Sequence, residues 1–183
     1  NDAVGRSFRE DWLAALSRRN DWPRFLATWQ PTIERASLRC MALNARHEVN
    51  PADATWAQDV RRQWLSGKPV SAECNPAFEA WEASGGLTDA LRWQRIDLAI
   101  AENQPALMRN IASGLPEADR ALAHAYAAAM GGELTDAASQ WPRTARSRAV
   151  GTAALVAIAK KSPANGETTL AKFAPILALD DAQ

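Results

Sequence analysis

Histidine, cysteine and tyrosine are scarce here: two, two and one in 183 residues. Cys40 and Cys74 lie far apart, and neither His47 nor His124 sits near them in a ligand pattern. A zinc site of the usual Cys/His spacing is therefore excluded, and no cofactor or metal is expected. Nowhere does the chain hold the run of about eighteen apolar residues that a membrane span needs. Charge of one sign is also lacking. Lys plus Arg is 21 and Asp plus Glu is 21, so the net charge is zero. Long runs of like charge are absent too, so there is no global electrostatic reason to bind nucleic acid or an anionic membrane. Val, Ile and Thr are sparse and do not alternate with polar residues, so strand patterns are missing.

Catalytic patterns are equally thin. Ser66 and Ser84 border glycines, but neither stands in a Gly-x-Ser-x-Gly elbow. The acidic pairs Glu79/Glu82 and Asp180/Asp181 read as solvated helix faces and ends rather than as the paired carboxylates of a glycosidase. No residue is assigned a catalytic role.

What remains is helix. Hydrophobic residues make up 47% of the chain, enough for a packed core. Gly and Pro fall between apolar-periodic segments. The pattern predicts helices at about 7–19, 23–30, 32–46 and 53–66, then 75–84, 88–102 and 105–113, then 116–130, 134–141, 143–161 and 163–179. Phe8, Trp12, Leu13 and Leu16 mark the apolar face of the first, and Asn50-Pro51-Ala52-Asp53 the start of the fourth. About eleven helices with short connections predict an all-α fold, a curved superhelical solenoid of antiparallel helix pairs. Residues 1–183 are expected to form part of one such domain. The start at Asn1 and the unclosed end, Leu179 to Gln183, suggest a mature or trimmed fragment.

The two cysteines admit one pairing. On composition alone two buried free thiols are the default, and a bridge stays open.

Several stretches together resemble the superhelical, U-shaped N-terminal domain of the soluble lytic transglycosylases. Phe8 to Leu16 followed by Arg19-Asn20-Asp21-Trp22 is similar to that family's opening helix and Arg-x-Asp-Trp turn. Trp64-Leu65-Ser66-Gly67-Lys68 is similar to its Trp-Leu-Thr-Gly-Lys element. Phe78, Trp81, Ala83, Ser84 and Gly85 fit Phe-x-x-Trp-x-Ala-Ser-Gly, and Arg95, Ile96, Leu98 and Ala99 fit Arg-Ile-x-Leu-Ala. The matched stretch runs from about residue 8 to 102; beyond it only helical character agrees.

The resemblance implies a Cys40–Cys74 disulfide in an oxidising periplasm. Closing that loop stabilises by about 3–4 kcal/mol in the chain-entropy model. It implies a parent enzyme that cleaves between N-acetylmuramic acid and N-acetylglucosamine, giving 1,6-anhydromuropeptides. The catalytic Glu-Ser-Arg and Gly-Leu-Met-Gln motifs of that family, which sit in a lysozyme-like C-terminal domain, do not occur here. This chain is then a non-catalytic scaffold. Its partners are that catalytic domain and, through the whole enzyme, peptidoglycan glycan strands; nucleic acid and a membrane span are not among them.

Eight tryptophans invite a sugar-binding reading. Trp12, Trp22, Trp56, Trp64, Trp81 and Trp93 sit on apolar helical stripes, where packing between helices explains them. Trp29 and Trp141 precede prolines at or near helix ends and are the candidate glycan contacts. Arg18-Arg19, Arg61-Arg62, Arg143-Arg146-Arg148 and Lys160-Lys161 offer cations to anionic wall peptides, but near helix C-termini they also complement the dipole. The rival reading is a tetratricopeptide-like protein-interaction module unrelated to cell-wall cleavage.

Overall fold

The computed structural model describes residues 3–177. Among these residues it is all helix and turn, without strand, as the periodicity predicts. No described helix is long and apolar enough to cross a membrane. The chain divides into two compact units: Asn1–Leu65 with Pro69–Thr88, and Ser66–Lys68 with Asp89–Gln183.

The first unit holds α1 (Ala3–Arg18), α2 (Trp22–Thr28), α3 (Ala36–Val49), α4 (Trp56–Trp64), a 3-10 turn (Ala72–Cys74) and α5 (Asn75–Ala83). Asn20 takes a left-handed φ of 55° and turns the chain out of α1. Asp21 then caps α2 by accepting from the Arg24 amide, and Pro23 occupies the first turn, where its missing N–H costs nothing. Leu13, Leu16, Phe25, Leu38 and Ala45 close the core beneath these helices.

The buried face of α1 is narrower than the sequence suggests. Leu13 and Leu16 are buried, whereas Phe8 is 73% and Trp12 46% exposed. At 3.6 residues per turn, Phe8 lies about 140° around the helix from Leu13, too far to share one stripe. The expected inward placement of Phe8 and Trp12 is corrected accordingly.

The expected start of α3 at Thr32 also shifts. Ile33 donates its amide to the Gln30 carbonyl at 3.0 Å, a turn that buries Ile33 and delays the helix to Ala36. The expected helix start at Asp53 fails for a different reason. The Asp53 carboxylate is held by Arg46, and α4 begins three residues later.

α5 packs on α4 through aromatic edges. Trp64 meets Phe78 edge-on at 5.1 Å and Trp81 at 6.4 Å. Gly86 lies against the Trp81 indole so closely that a Cβ there would come 2.0 Å from Nε1. Any side chain at that position displaces the ring.

The second unit holds α6 (Asp89–Ala101), α7 (Pro105–Ala112), α8 (Glu117–Met130), a 3-10 turn (Asp136–Gln140), α9 (Ala145–Lys161) and α10 (Pro163–Leu177). Each helix packs on the next, the arrangement short connections impose on antiparallel neighbours. Ala123 and Ala127 on α8 are fully buried beside Tyr126, small residues that let neighbours approach. The helix expected over 134–141 is only a 3-10 turn. Pro142 cannot donate a helical hydrogen bond, and a single residue of the turn, Ala138, is buried. Leu98 on α6 is 38% exposed.

Candidate functional site

Three features singled out from sequence can now be placed: the cysteines, the motif segments and the two tryptophans. Cys40 on α3 and Cys74 in the 3-10 turn are both fully buried and are joined as a disulfide. Beside the bridge, the Asn44 amide donates to the Glu73 carbonyl at 2.8 Å. The turn is thus tied to α3 by one covalent and one hydrogen bond.

Two of the motif stretches touch each other within the second unit. Gly67 lies against α6 so tightly that a Cβ would come 2.5 Å from the Leu98 carbonyl oxygen. Arg95 Nε donates to the Ser66 carbonyl at 3.2 Å, and Lys68 Nζ sits 3.2 Å from the Glu102 carboxylate. Arg95 is 3% exposed, and its burial pulls its pKa down to about 10. The Trp-Leu-Ser-Gly-Lys and Arg-Ile-x-Leu-Ala segments therefore owe their pattern to packing. The glycine allows the approach, and the arginine holds a loop carbonyl.

Trp141 is half-buried. Its ring stands edge-on to Tyr126 at 4.8 Å and packs on the cluster of Ala138, Phe173 and Leu177. The crevice beside it measures about 10 Å³, room for one water and no more.

Trp29 has a different setting. It is half-buried, follows the last turn of α2, and stacks on Phe25 with ring centroids 6.0 Å apart. It also lines a cleft of about 340 Å³ between that turn and the facing sides of α3 and α4. Pro31, Ala42 and Leu43 supply the apolar lining; Arg39, Arg46, Asp59, Arg62 and Gln63 supply the polar groups. Ligand pockets begin at about 300 Å³, so the cleft has room for a single sugar ring.

Its polar floor is cross-linked by hydrogen bonds. Arg46 donates through Nε at 2.8 Å and Nη2 at 2.7 Å to Asp53 Oδ2, and through Nη1 at 2.6 Å to Asp59 Oδ2. Nη2 also reaches the Thr55 hydroxyl at 2.8 Å. Asp53 Oδ1 accepts from the Thr55 amide at 2.9 Å and hydroxyl at 2.8 Å. The hydrogen bonds from Arg46, helped by Thr55, hold the Asp53 carboxyl down to about 2. Burial opposes the charge on Arg46, but the hydrogen bonds to Asp59 and Asp53 outweigh it and its pKa is raised. The remaining Asp59 oxygen takes Arg62 at 3.0 Å.

Reading the sequence for sites missed Arg39, Arg46, Asp53 and Asp59. Helix spacing puts Arg39 and Arg46 on one face of α3, but only the turn between α3 and α4 brings Asp53 and Asp59 to that face. The second unit has a larger, more apolar cleft of about 520 Å³ beside Asp97, Ile100, Thr144 and Arg146. Its two charges are spent on each other. Arg146 pairs with both Asp97 oxygens and lies 4.4 Å over the Trp93 ring.

The remaining candidates stay apart. Glu79, Glu82 and His124 are exposed, and His47 stacks on Trp56 at 4.4 Å. Asp180 and Asp181 lie outside the described residues. No cluster of three or more His, Cys, Asp or Glu that could hold a metal ion occurs among the described residues.

No family model matches the sequence, and no curated protein matches it. Solved structures do. The 70-kDa soluble lytic transglycosylase of Escherichia coli is similar over 96% of this chain and 29% of its own, with TM-score 0.77 and 21% identity. A complex of the 70-kDa soluble lytic transglycosylase with bulgecin A matches over the same shares, with TM-score 0.75 and 22% identity. An inactive mutant of the lytic transglycosylase Slt of Pseudomonas aeruginosa is similar over 93% of this chain and 28% of its own, with TM-score 0.65 and 24% identity. The chain thus spans less than a third of the structures it matches, and across that stretch its fold is the helical fold of the soluble lytic transglycosylases.

Proposed function

We propose that this chain is part of the non-catalytic helical scaffold of a periplasmic peptidoglycan lytic transglycosylase. The observation that carries this reading is the shared fold over 96% of the chain. The contact between its two motif segments and the Cys40–Cys74 bridge support it. In the parent enzyme a lysozyme-like domain outside this chain cleaves the bond between N-acetylmuramic acid and N-acetylglucosamine. There one carboxyl group serves as acid and then base while the muramic 6-hydroxyl closes the 1,6-anhydro ring. The scaffold's own part is to hold glycan strands near that domain. Trp29 and its cleft are the contact the geometry favours, because a braced indole offers a flat apolar face to a sugar ring. Trp141, edge-on to Tyr126 and beside a crevice too small for a ring, is the weaker of the two tryptophans.

Cosedimentation with purified peptidoglycan sacculi tests both halves. The chain is expected to pellet with sacculi and to release no anhydromuropeptides into the supernatant by mass spectrometry. Release of such products refutes the non-catalytic role. Failure to pellet refutes the glycan contact.

A further inference from the structure

The Trp29 cleft carries an imbalance of charge. Four groups in and beside it pair with one another: Arg46 with Asp53 and Asp59, and Arg62, through one nitrogen, with the second Asp59 oxygen. Three guanidinium groups, those of Arg39, Arg46 and Arg62, therefore face only two carboxylates. Arg39 is exposed, and its side chain makes no hydrogen bond or ion pair among the described residues. Arg62 is 73% exposed and spends one nitrogen on Asp59, leaving its other donors open. These two arginines come from different helices, α3 and α4, and line the same cleft as Trp29.

We infer that the cleft selects a saccharide unit bearing a carboxylate over a neutral one. This rests on the glycan-contact reading above and narrows it. The sugar ring lies against Trp29 and the apolar lining of Pro31, Ala42 and Leu43. Its carboxylate accepts from Arg39 and Arg62, whose planar donors match carboxylate geometry. Asp59 does not repel the carboxylate as an unpaired charge, because Arg46 pairs with one of its oxygens and Arg62 with the other. Asp59 instead holds Arg62 in place, and the Arg46 clamp holds Asp59. The same clamp disfavours cations, since no carboxylate in the cleft is left without a guanidinium partner.

The test is a heteronuclear NMR titration of the intact oxidised chain, read at the Trp29 indole N–H and assigned with Trp29→Phe. The probes are N-acetylmuramic acid and N-acetylglucosamine, with sodium acetate and inorganic phosphate alongside. The acidic sugar is expected to bind about ten-fold more tightly than the neutral one, the equivalent of one added charge-assisted contact. Added salt is expected to erode that preference. Arg39→Gln, an exposed substitution that leaves the core untouched, is expected to bring the two affinities within about two-fold of each other, as loss of that contact requires.

If both sugars bind alike, the carboxylate preference falls and the glycan contact stands. If Arg39→Gln keeps the full preference, this assignment of the arginines is wrong. If acetate or phosphate binds as tightly as the acidic sugar, the site is a small-anion site and the saccharide is overturned. If neither sugar moves the Trp29 resonance at millimolar concentration, the preference and the contact both fall.

Discussion

Arg46 grips a single oxygen of Asp53 with two nitrogens, Nε at 2.8 Å and Nη2 at 2.7 Å, across the turn that joins α3 to α4. That grip fixes the turn, and it titrates. The folded-state pKa of Asp53 is lowered to about 2 from 3.8, chiefly by its hydrogen bond to Arg46. A depressed carboxyl pKa contributes stability above the unfolded value and loses it as pH falls through the folded value. Between pH of about 4 and 2 the unfolded chain binds the extra proton, so the contribution shrinks there. Urea melts of wild type and Asp53→Asn are expected to differ at pH 7 and to converge toward pH 2. A constant difference over that window contradicts the assigned pair. Arg46→Met is expected to cost about 1–2 kcal/mol at pH 7, less than a buried ion pair, because the group is partly solvated.

The disulfide spans a sequence separation of 34. Constraining a loop of that length in the unfolded chain stabilises by about 3–4 kcal/mol in the entropy model. The Cys40→Ser/Cys74→Ser double variant is expected to lose that much unfolding free energy, read in urea melts as a lower midpoint at unchanged m. Reductant is expected to move wild type toward the variant and to leave the variant alone. Without reductant, the intact mass of native protein is expected to be short by two hydrogens, with no thiol alkylated in denaturant.

Tyr126 is the one tyrosine of the chain, so its phenolate absorbance at 295 nm reads a single site. Burial raises its pKa above the ordinary 10, against the smaller opposing pull of Ser147. The titration midpoint is expected above 10 in folded protein and at the ordinary value in urea. The sign for stability follows. Above about pH 10 the unfolded chain ionises first, so stability falls as pH rises toward the folded pKa. Tyr126→Phe removes a buried 2.7 Å hydrogen bond to the Ser147 hydroxyl. It is expected to cost about 1 kcal/mol, because the phenyl ring keeps the edge contacts to Trp93 and Trp141.

On α1, Leu13 and Phe8 make opposite predictions from one helix. Leu13→Ala opens a cavity in the first core and is expected to cost about 2–5 kcal/mol. Phe8→Ser changes an exposed position and is expected to stay within about 0.5 kcal/mol of wild type. Equal losses in thermal melts would place Phe8 in the core after all.

Much of the helical organisation was legible from residue order. The absence of alternation, together with Pro and Gly at the breaks, was enough for the all-α class. α7, α8 and α9 begin within two residues of the predicted starts and end within one of the predicted ends. These signals are local: a cap, a proline or a left-handed residue acts within one turn of chain. Where the reading failed, a non-local partner decided. Asp53 looks like a helix start until Arg46, seven residues earlier, takes its carboxylate. Phe8 and Trp12 look apolar and periodic, but which face of α1 is covered depends on where α2 and α3 pack.

By itself, then, the sequence determined the helical class and most helix boundaries, because hydrophobic periodicity and end signals are properties of short stretches. The resemblance added the cysteine pairing. The tertiary structure alone decided that Trp29 lines a cleft while Trp141 borders only a narrow crevice, since each stands within two residues of a proline and the two look alike along the chain. It alone brought the Arg39/Arg46 face of α3 and the Asp59/Arg62 face of α4 around one space, because proximity between helices is set by packing angle and turn geometry, which spacing along one helix does not encode.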